Sequence, residues 1–390
     1  MASAIRIKDN IYWVGAIDWD VRNFHGYLTQ KGSTYNAYLV IDDKITLIDG
    51  AKKPFGDELL ARVASVVPLD KIDYVIVNHV EKDHAGALGQ VRQACPNARF
   101  VADAQAKKGL AAHYHEEWDM DIVKTGDTLS TGKYTFHFVQ TPMVHWPDSM
   151  VTYLAEEKIL FPNDAFGQHF ATAERFDDEV PFDVLMYEAE KYYANIVLPF
   201  GAQVQKALTA LGGLDIDVIC PSHGLIWRKN IPAILAAYQK WSANSCDEKA
   251  VVVYDTMWEA TRKMAGAICD GFTEAGIPVT RMSLNHCHIS DVMAAMMSAK
   301  YVAIGSPTLN NQVMPSVAAL MTYIKGLNPK DRCGIAFGSY GWSGQSVGII
   351  QDFMAEMKWQ IAGFHRLQYE PKPQELAEIT RTTTEYLQTK

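Results

Sequence analysis

The chain contains few cysteines, six among 390 residues, and no two of them form a CxxC pair. This scarcity argues against a disulfide framework, a zinc ribbon or a cysteine-ligated iron–sulfur centre. The net charge is -9, and the sequence contains no run rich in Lys or Arg. We therefore expect neither a nucleic-acid-binding surface nor a surface that binds anionic membranes. No apolar run is long enough to span a bilayer, and "MASAIRIKDNIYWVG" carries no signal-peptide core, so we expect a cytoplasmic protein.

The two halves of the chain differ in the pattern of their apolar residues. The first half reads as short strands and turns with helical patterns between them, which predicts two sheets or one folded sheet with helices outside. The polar stretch "WSANSCDEK" at 241–249 lacks periodicity, and we place the domain boundary there, giving domains 1–245 and 246–390. Beyond it, five apolar strands alternate with amphipathic helices, which predicts a doubly wound parallel sheet.

A cluster of polar side chains follows the apolar run "DYVIV" in the first half. The stretch "NHVEKDHAG" places His79, Glu81, Asp83 and His84 within six positions. Because strand side chains alternate, His79 and Glu81 would share one face if the strand persists, and the other two would lie in the following turn. Taken alone, the cluster fits either a metal site or a hydrogen-bonded loop.

Further potential ligands follow later strands of the same half. His145 lies in "TPMVHWPDSM", Asp164 in "LFPNDAFG" and His223 in "VICPSHG", each after an apolar run. Recurrence of potential ligands at strand ends favours the metal site over the structural loop.

The order of these residues, H-x-E-x-D-H and then His, Asp and His, resembles the metallo-β-lactamase superfamily. Most hydrolases of that superfamily carry His at the position of Glu81, and the extra carboxylate here suits redox-active iron better than zinc. The Glu variant followed by a flavodoxin-like half resembles the flavodiiron proteins over essentially the whole chain. The resemblance implies an α/β fold: an N-terminal metallo-β-lactamase-like αββα sandwich followed by a flavodoxin-like doubly wound five-stranded parallel sheet.

The same resemblance implies two non-heme irons and assigns their ligands. The implied ligands are His79, Glu81 and His145 for one iron, Asp83, His84 and His223 for the other, and Asp164 as the bridge.

Two further residues match family positions near the iron pocket. His25 in "NFHGY" and Tyr193 in "KYYAN" are expected to hydrogen-bond an iron-bound oxygen species or to supply a proton. A purely structural role is the alternative for each.

Three loops of the second half predict a flavin site. "DTMWEAT", "SPTLNN" and "GSYGWSG" follow successive strands, where ligands of doubly wound sheets bind. The first loop offers hydroxyls and a helix N-terminus for a phosphate, although Glu259 stands where the family usually has Gly. Trp258 and Trp342 offer faces for stacking, and the absence of a dinucleotide G-x-G-x-x-G motif favours FMN over FAD or NAD. The candidate FMN contacts are Thr256, Met257, Trp258, Glu259, Ala260, Thr261, Pro307, Thr308, Leu309, Asn310, Asn311, Ser339, Tyr340, Gly341, Trp342 and Gly344.

The resemblance implies reduction of O2 to water and/or of NO to N2O. Reduced FMN and a diferrous pair each supply two electrons, which together equal the four that O2 requires. No C-terminal CxxC pairs are present, so we expect no fused rubredoxin domain and a separate donor, rubredoxin or another small electron carrier. A deazaflavin donor, and the preference between O2 and NO, stay open. The family resemblance also implies a head-to-tail homodimer or a dimer of such dimers.

Two other functional classes compete with this interpretation. One is a dizinc hydrolase of the metallo-β-lactamase superfamily with an accessory flavodoxin domain, which Glu81 and the three flavin loops oppose. The other is a non-enzymatic electron carrier that uses FMN alone, which the seven potential ligands oppose. Metal identity and flavin content discriminate among the three.

Overall fold

The computed structural model describes residues 3–388, which group into two compact units. The first unit contains the N-terminal segment up to His25, Thr29–Tyr192 and Ala202–Gln239; the second contains Gly26–Leu28, Tyr193–Gly201 and the chain from Lys240 onward. The main division therefore falls a few residues before the predicted domain boundary at 245/246, which stays a prediction. The reason is local: helix Ile231–Ser242 runs into the polar stretch on which that prediction rested.

Most strands of the N-terminal half form two main sheets. These strands are β1 (Ile5–Lys8), β2 (Ile11–Trp13), β3 (Ala16–Asp18), β4 (Asn23–Phe24), β5 (Tyr27–Leu28), β6 (Ser33–Tyr35), β7 (Tyr38–Val40), β8 (Ile45–Ile48), β9 (Ile72–Val77), β10 (Arg99–Ala102), β11 (Met120–Ile122), β12 (Thr128–Ser130), β13 (Thr135–Gln140), β14 (Met150–Leu154), β15 (Ile159–Phe161) and β16 (Val218–Ile219). One sheet has the order β1-β2-β7-β8-β9-β10-β11, antiparallel as far as β8 and parallel beyond it. The other has the order β12-β13-β14-β15-β16, with only β15 and β16 parallel. β3 with β6 and β4 with β5 form two-stranded sheets.

Helices flank these sheets. They are α1 (Gly56–Ala64), α2 (Lys82–Ala85), α3 (Leu88–Ala94), α4 (Ala104–Tyr114), α5 (Phe182–Tyr192), α6 (Gly201–Leu211) and α7 (Ile231–Ser242). The sequence pattern over about 183–211 predicts one helix, but the structure has two, because a π-helical turn and a 3-10 turn separate α5 from α6. Pro199 lies in that interruption, and proline lacks the N–H that a continuous helix needs.

Apolar side chains place the two sheets face to face. Ile76 and Val101 of the first sheet pack with Phe136 and Phe161 of the second in one buried cluster. The opposite face of the first sheet packs against α1, α3 and α4 in a separate cluster. This layering positions the ends of β9, β13 and β15, where the potential metal ligands follow.

The second unit contains one parallel sheet. Its elements are β17 (Asp247–Tyr254), α8 (Ala260–Glu274), β18 (Val279–Ser283), α9 (Ile289–Met296), β19 (Ala299–Gly305), α10 (Pro315–Leu327), β20 (Cys333–Tyr340), α11 (Gln345–Glu356), β21 (Gln360–Gln368) and α12 (Pro373–Gln388). The strand order β18-β17-β19-β20-β21, parallel throughout, confirms the predicted doubly wound five-stranded sheet. The order reverses direction between β17 and β19, and ligands of such sheets bind at that point. Within residues 3–388, no helix combines the length and apolarity that a membrane crossing demands.

His365 of β21 should make the stability of this unit sensitive to acid. Its ring is buried against α12, with Nε2 3.2 Å from Thr383 Oγ1 and the Tyr386 ring at 5.7 Å. Burial lowers the pKa of His365 to about 4, although Glu378 acts in the opposite direction. The unfolded chain therefore takes up this proton near pH 6.5 and the folded protein only near pH 4. We expect the free energy of unfolding to fall by about 3 kcal/mol between those values because of this group.

The measurement is chemical unfolding between pH 7.5 and 4 for the unaltered protein and a His365→Gln variant. The stability difference between the two should shrink as the pH falls, since only the unaltered protein carries the penalty. His286→Gln, at an exposed position of the same unit, is the matched control and should follow the unaltered protein. Parallel curves for the unaltered protein and His365→Gln would contradict the prediction.

Candidate functional sites

A hydrogen-bond network fixes the end of β9, where the first potential ligands stand. Asp49, just after β8, accepts hydrogen bonds from the Asn78 backbone N–H at 2.7 Å and from its side-chain amide at 3.1 Å. The Thr152 hydroxyl of β14 donates to Asn78 Oδ1 at 2.7 Å. Since these groups are buried and paired, they hold the backbone directly before His79 in one position.

The structure brings the seven predicted ligand side chains together in two groups. The first is His79, Glu81, His145 and Asp164, and the second is Asp83, His84 and His223; within each group the potential ligand atoms lie within 4.8 Å of one another. In the first group, His145 Nε2 lies 3.2 Å from Glu81 Oε2. In the second, His223 Nε2 lies 3.1 Å from Asp83 Oδ2.

Asp164 faces both groups, with one carboxylate oxygen toward each. Its Oδ2 lies 3.2 Å from His145 Nε2 and 3.6 Å from His79 Nε2. Its Oδ1 lies 3.1 Å from His84 Nε2 and 3.4 Å from His223 Nε2. This orientation is the one a carboxylate needs to bridge two metal ions.

The chemistry of this cluster fits two bound metal ions. Within residues 3–388, no hydrogen bond of acceptable geometry satisfies the buried His79 Nε2, His84 Nε2, or the carboxylate oxygens of Asp83 and Asp164. Buried polar atoms without hydrogen bonds are costly unless another partner satisfies them. Four imidazoles and three carboxylates form a mixed nitrogen and oxygen donor set, which suits non-heme iron.

Two of the imidazoles are oriented by hydrogen bonds on their far side. His79 Nδ1 lies 2.9 Å from Asp148 Oδ2, and the same oxygen accepts from the Val80 N–H at 2.8 Å. His223 Nδ1 donates to the Thr34 carbonyl at 2.6 Å. Each contact directs the Nε2 atom of the ring into the cluster, as second partners of metal-bound histidines do.

Charge pairing dominates the electrostatics of the cluster. Burial lowers the pKa of His79, but its hydrogen bonds with Asp148 and Glu81 outweigh burial and raise it to about 10. Burial also lowers the pKa of His84, and the charges of Asp83 and Asp164 raise it to about 9. Burial raises the pKa of Asp164, yet the facing imidazoles hold it well below its usual value. Metal binding therefore has to displace protons from these rings.

His25 and Tyr193 have different surroundings. His25 Nε2 lies 2.9 Å from Glu81 Oε1, and its side chain is 68% exposed, so it connects the cluster to solvent. Tyr193 belongs to the second unit, where its ring packs at 5.3 Å from Trp241. The adjacent Tyr192 is the tyrosine whose ring lies 5.9 Å from His223. The predicted chemical roles of His25 and Tyr193 stay predictions.

Sequence reasoning missed several residues that surround the cluster. Phe24 and His169 stack beside His223, with ring centroids at 5.8 and 4.8 Å, and Trp146 packs edge-on at 5.1 Å from His79. Asp148 was missed although it stands three residues after His145 in "HWPD". A carboxylate so close to a ligand in sequence is the only signal that could have indicated it.

The loops after β17, β19 and β20 enclose a cavity of about 570 Å3 in the second unit. That volume is typical of small-molecule sites. The predicted residues that line it are Met257, Trp258, Ala260, Pro307, Thr308, Leu309, Asn310, Ser339, Tyr340, Gly341 and Trp342. Tyr369 and Glu370, after β21, also line it and were not predicted.

The other candidate FMN contacts lie around this cavity. Asn311 lines a neighbouring cavity. Thr261 is buried, and its Oγ1 lies 2.9 Å from the Oγ of Ser339, which lines the main cavity. Gly344 precedes α11 with φ at +73°, a left-handed conformation that suits glycine.

The N-terminus of α8 fits an anionic group. No side-chain hydrogen bond caps this helix, and in the part of the chain that the structure describes the buried Thr256 hydroxyl has no hydrogen-bond partner. Glu259 stands at the first position before the helix, half exposed, and pairs with Arg262 at 2.5 Å. A phosphate would satisfy both the free helix amides and the Thr256 hydroxyl.

Two tryptophans border the cavity with most of their surface free. Trp258 is 86% exposed and Trp342 is 89% exposed. Large aromatic side chains are rarely this exposed without a partner, and their faces suit stacking on a planar ring.

Glu259→Gly should stabilise the second unit. Glu259 has φ at +68°, which costs a residue with a Cβ roughly 1–2 kcal/mol and glycine little. Losing the exposed pair with Arg262 costs at most about 1 kcal/mol, so we expect a net gain near 1 kcal/mol in unfolding experiments. Removing the negative charge beside the helix N-terminus should also tighten FMN binding several-fold.

Glu259→Gln is the matched variant, because it removes the charge and keeps the strained conformation. It should tighten FMN binding without stabilising the protein. Equal stability of the Gly and Gln variants would show that the left-handed conformation carries no cost here.

The fold and these two sites define a two-part protein in which a metallo-β-lactamase-like unit precedes a flavodoxin-like unit. Two family models match the chain: "ODP family beta lactamase" over residues 34–224 and "Flavodoxin" over residues 252–382.

Relatives of known name extend over nearly the full chain. It is 45% identical to a nitric oxide reductase of Moorella thermoacetica, over 93% of this chain and 92% of that protein. It is 43% identical to a rubredoxin-oxygen oxidoreductase of Megalodesulfovibrio gigas, over 92% and 90% respectively. The crystal structure of the flavodiiron protein from Giardia intestinalis matches with a TM-score of 0.96 and 37% identity, covering 99% of this chain and 96% of that one. The chain therefore belongs to the flavodiiron protein family. This membership confirms the predicted fold class and the predicted cofactors, FMN and two non-heme irons.

Proposed function

We propose that this protein reduces O2 to water and/or NO to N2O at the seven-residue cluster, with electrons passed through FMN from rubredoxin or a similar small donor. The observation that carries the proposal is Asp164, whose two oxygens face two separate groups of potential ligands. One chain that carries both a site for a pair of metals and a cavity for a flavin matches a reaction that consumes several electrons at once. The names of the relatives, nitric oxide reductase and rubredoxin-oxygen oxidoreductase, support the two substrates and the donor.

The residues of the cluster hold the metals and control what reaches them. When bound, the two irons supply a place for a diatomic molecule and two of the electrons that its reduction needs. Phe24 and Trp146 pack against the ligand rings and exclude bulk water from that side. His25, exposed and hydrogen-bonded to Glu81, is placed to carry protons from solvent to the pocket.

The cavity of the second unit holds the flavin in this proposal. The α8 N-terminus and Thr256 bind the phosphate, and Trp342 and Trp258 stack on or border the ring system. These residues would hold the flavin in the cavity, and the bound flavin would supply electrons for the reduction.

The experiment that tests the proposal uses protein purified without oxygen. Elemental analysis and the flavin spectrum should give about two irons and one FMN per chain. Consumption of O2 and of NO is then measured with reduced rubredoxin as donor. Two zincs with thioester hydrolysis would point to the hydrolase alternative, and flavin without metal would point to a simple electron carrier.

We propose further that the protein acts as a head-to-tail homodimer, in which the FMN of one subunit serves the irons of the other. Mixing FMN-loaded Asp164→Ala protein with flavin-free Trp342→Ala protein, without added flavin, tests this directly, because neither protein then has both intact sites. After subunit exchange, mixed dimers join an intact flavin site to an intact metal site across the interface, so activity should reappear. If mixing restores nothing although exchange occurs, electrons do not cross between subunits in this way.

A further inference from the structure

Asp148 is a buried carboxylate that touches the metal cluster through one of its ligands. It is 4% exposed, and its Oδ2 accepts from His79 Nδ1 at 2.9 Å. The Val80 N–H donates to the same oxygen at 2.8 Å, so the carboxylate itself is fixed by backbone. The loop that carries Asp148 also carries His145, so one loop supplies one ligand of the first group and orients another.

Within residues 3–388, no carboxylate accepts a hydrogen bond from the far ring nitrogen of either imidazole of the second group. His223 Nδ1 donates to the neutral carbonyl of Thr34 at 2.6 Å. Neither ring nitrogen of His84 makes a hydrogen bond within the described residues 3–388. The two metal positions therefore differ in what lies behind their imidazoles, although each has two imidazoles, one carboxylate of its own and one oxygen of Asp164.

We propose that Asp148 makes the position formed by His79, Glu81 and His145 the tighter of the two metal positions. A carboxylate that accepts from the far nitrogen of a histidine strengthens the ring as a donor and fixes its orientation. A neutral carbonyl does this more weakly, and a ring without a partner gains neither effect. The inference rests on the proposed function, because it takes the cluster to be a two-metal site. In this role Asp148 is a positioning residue.

The test is a titration of metal-free protein with Co2+, followed by its visible absorption. We expect the unaltered protein to bind one equivalent more tightly than the second. Asp148→Asn should weaken the tighter step by about 10–100-fold and leave the weaker step within about twofold. Asp103→Asn is the matched control, since Asp103 is also buried but accepts hydrogen bonds from the Gln105 and Ala106 backbone N–H groups and from the Gln140 side chain, not from a ligand. It should change neither step.

A His223→Ala protein identifies which position is the tight one. It should keep a single tight step, and adding Asp148→Asn to it should weaken that step as before. An Asp148→Asn protein that weakens both steps equally, only the weaker step, or neither step would overturn the inference.

A measurement on the unaltered protein covers the case in which Asp148→Asn does not fold. With one equivalent of Co2+ bound, the shifted imidazole N–H proton of His79 should exchange slowly with solvent, because its acceptor is a buried carboxylate. Lack of any slowly exchanging shifted N–H signal would contradict the inference. These experiments need no turnover, so a failed proposed function would appear separately, as absent O2 and NO consumption by the iron-loaded protein.

Discussion

An Asp164→Ala protein should lose both metals and retain FMN. Asp164 is the one side chain that faces both groups, and its two oxygens have no other hydrogen-bond partner within residues 3–388. Without it each group keeps three potential ligands and the cluster loses a negative charge that offsets its imidazoles. We expect the metal content to fall from about two per chain toward zero, and reductase turnover to fall by at least about 100-fold.

The control for this variant is Asp119→Ala, which removes an exposed carboxylate from the same unit. It should keep both metals and full turnover. Elemental analysis and the flavin spectrum of the same samples separate metal loss from general unfolding. Two metals per chain in Asp164→Ala would show that Asp164 does not bridge them.

A Trp342→Ala protein should bind FMN roughly 10–100-fold more weakly and keep its metals. Trp342 lines the cavity of the second unit and is 89% exposed, so its ring has a free face for stacking. Stacking on an aromatic side chain contributes about 1–3 kcal/mol for planar bases, and an isoalloxazine offers a comparable face. Fluorescence titration of FMN into flavin-free protein gives the dissociation constant.

Phe364→Ala is the matched control for the tryptophan. Phe364 is also an exposed aromatic of the second unit, on β21, but it does not line the cavity. Its loss should leave FMN affinity unchanged. If both variants bind FMN as tightly as the unaltered protein, the flavin ring does not stack in this cavity. If Trp342→Ala also loses metal, the flavin and metal sites are not independent.

The clustering of the seven candidate ligands was predictable because potential ligand side chains recur after apolar strands of the first half. His79 and Glu81 stand directly after β9, and His223 follows β16. The sequence could not indicate which groups accept hydrogen bonds from the far ring nitrogens of His79 and His223. The Thr34 carbonyl is a backbone atom, and Asp148 looks like any loop carboxylate until the fold places it at His79.

The parallel sheet of the second unit was predicted from five apolar strands with helices between them, and the strand order agrees with it. The neighbouring tyrosines 192 and 193 show the limit of such reasoning. The ring of Tyr192 lies 5.9 Å from His223, and a π-helical turn begins at Tyr193 and changes the periodicity there, so sequence spacing alone does not give the surroundings of either ring. Tyr369 was missed for a similar reason, since it follows the last strand, where no loop motif marked a ligand.

The contact between His223 and Thr34 has a consequence for the synthesis of the protein. The two residues are 189 positions apart, so the contact joins nearly the first and the last structural elements of the first unit. A growing chain that ends before His223 lacks a ligand of the second metal position as well as the group that the Thr34 carbonyl orients. The complete cluster can therefore form only after the chain has been synthesised past His223, so insertion of the second metal must be a late event in the synthesis of this unit.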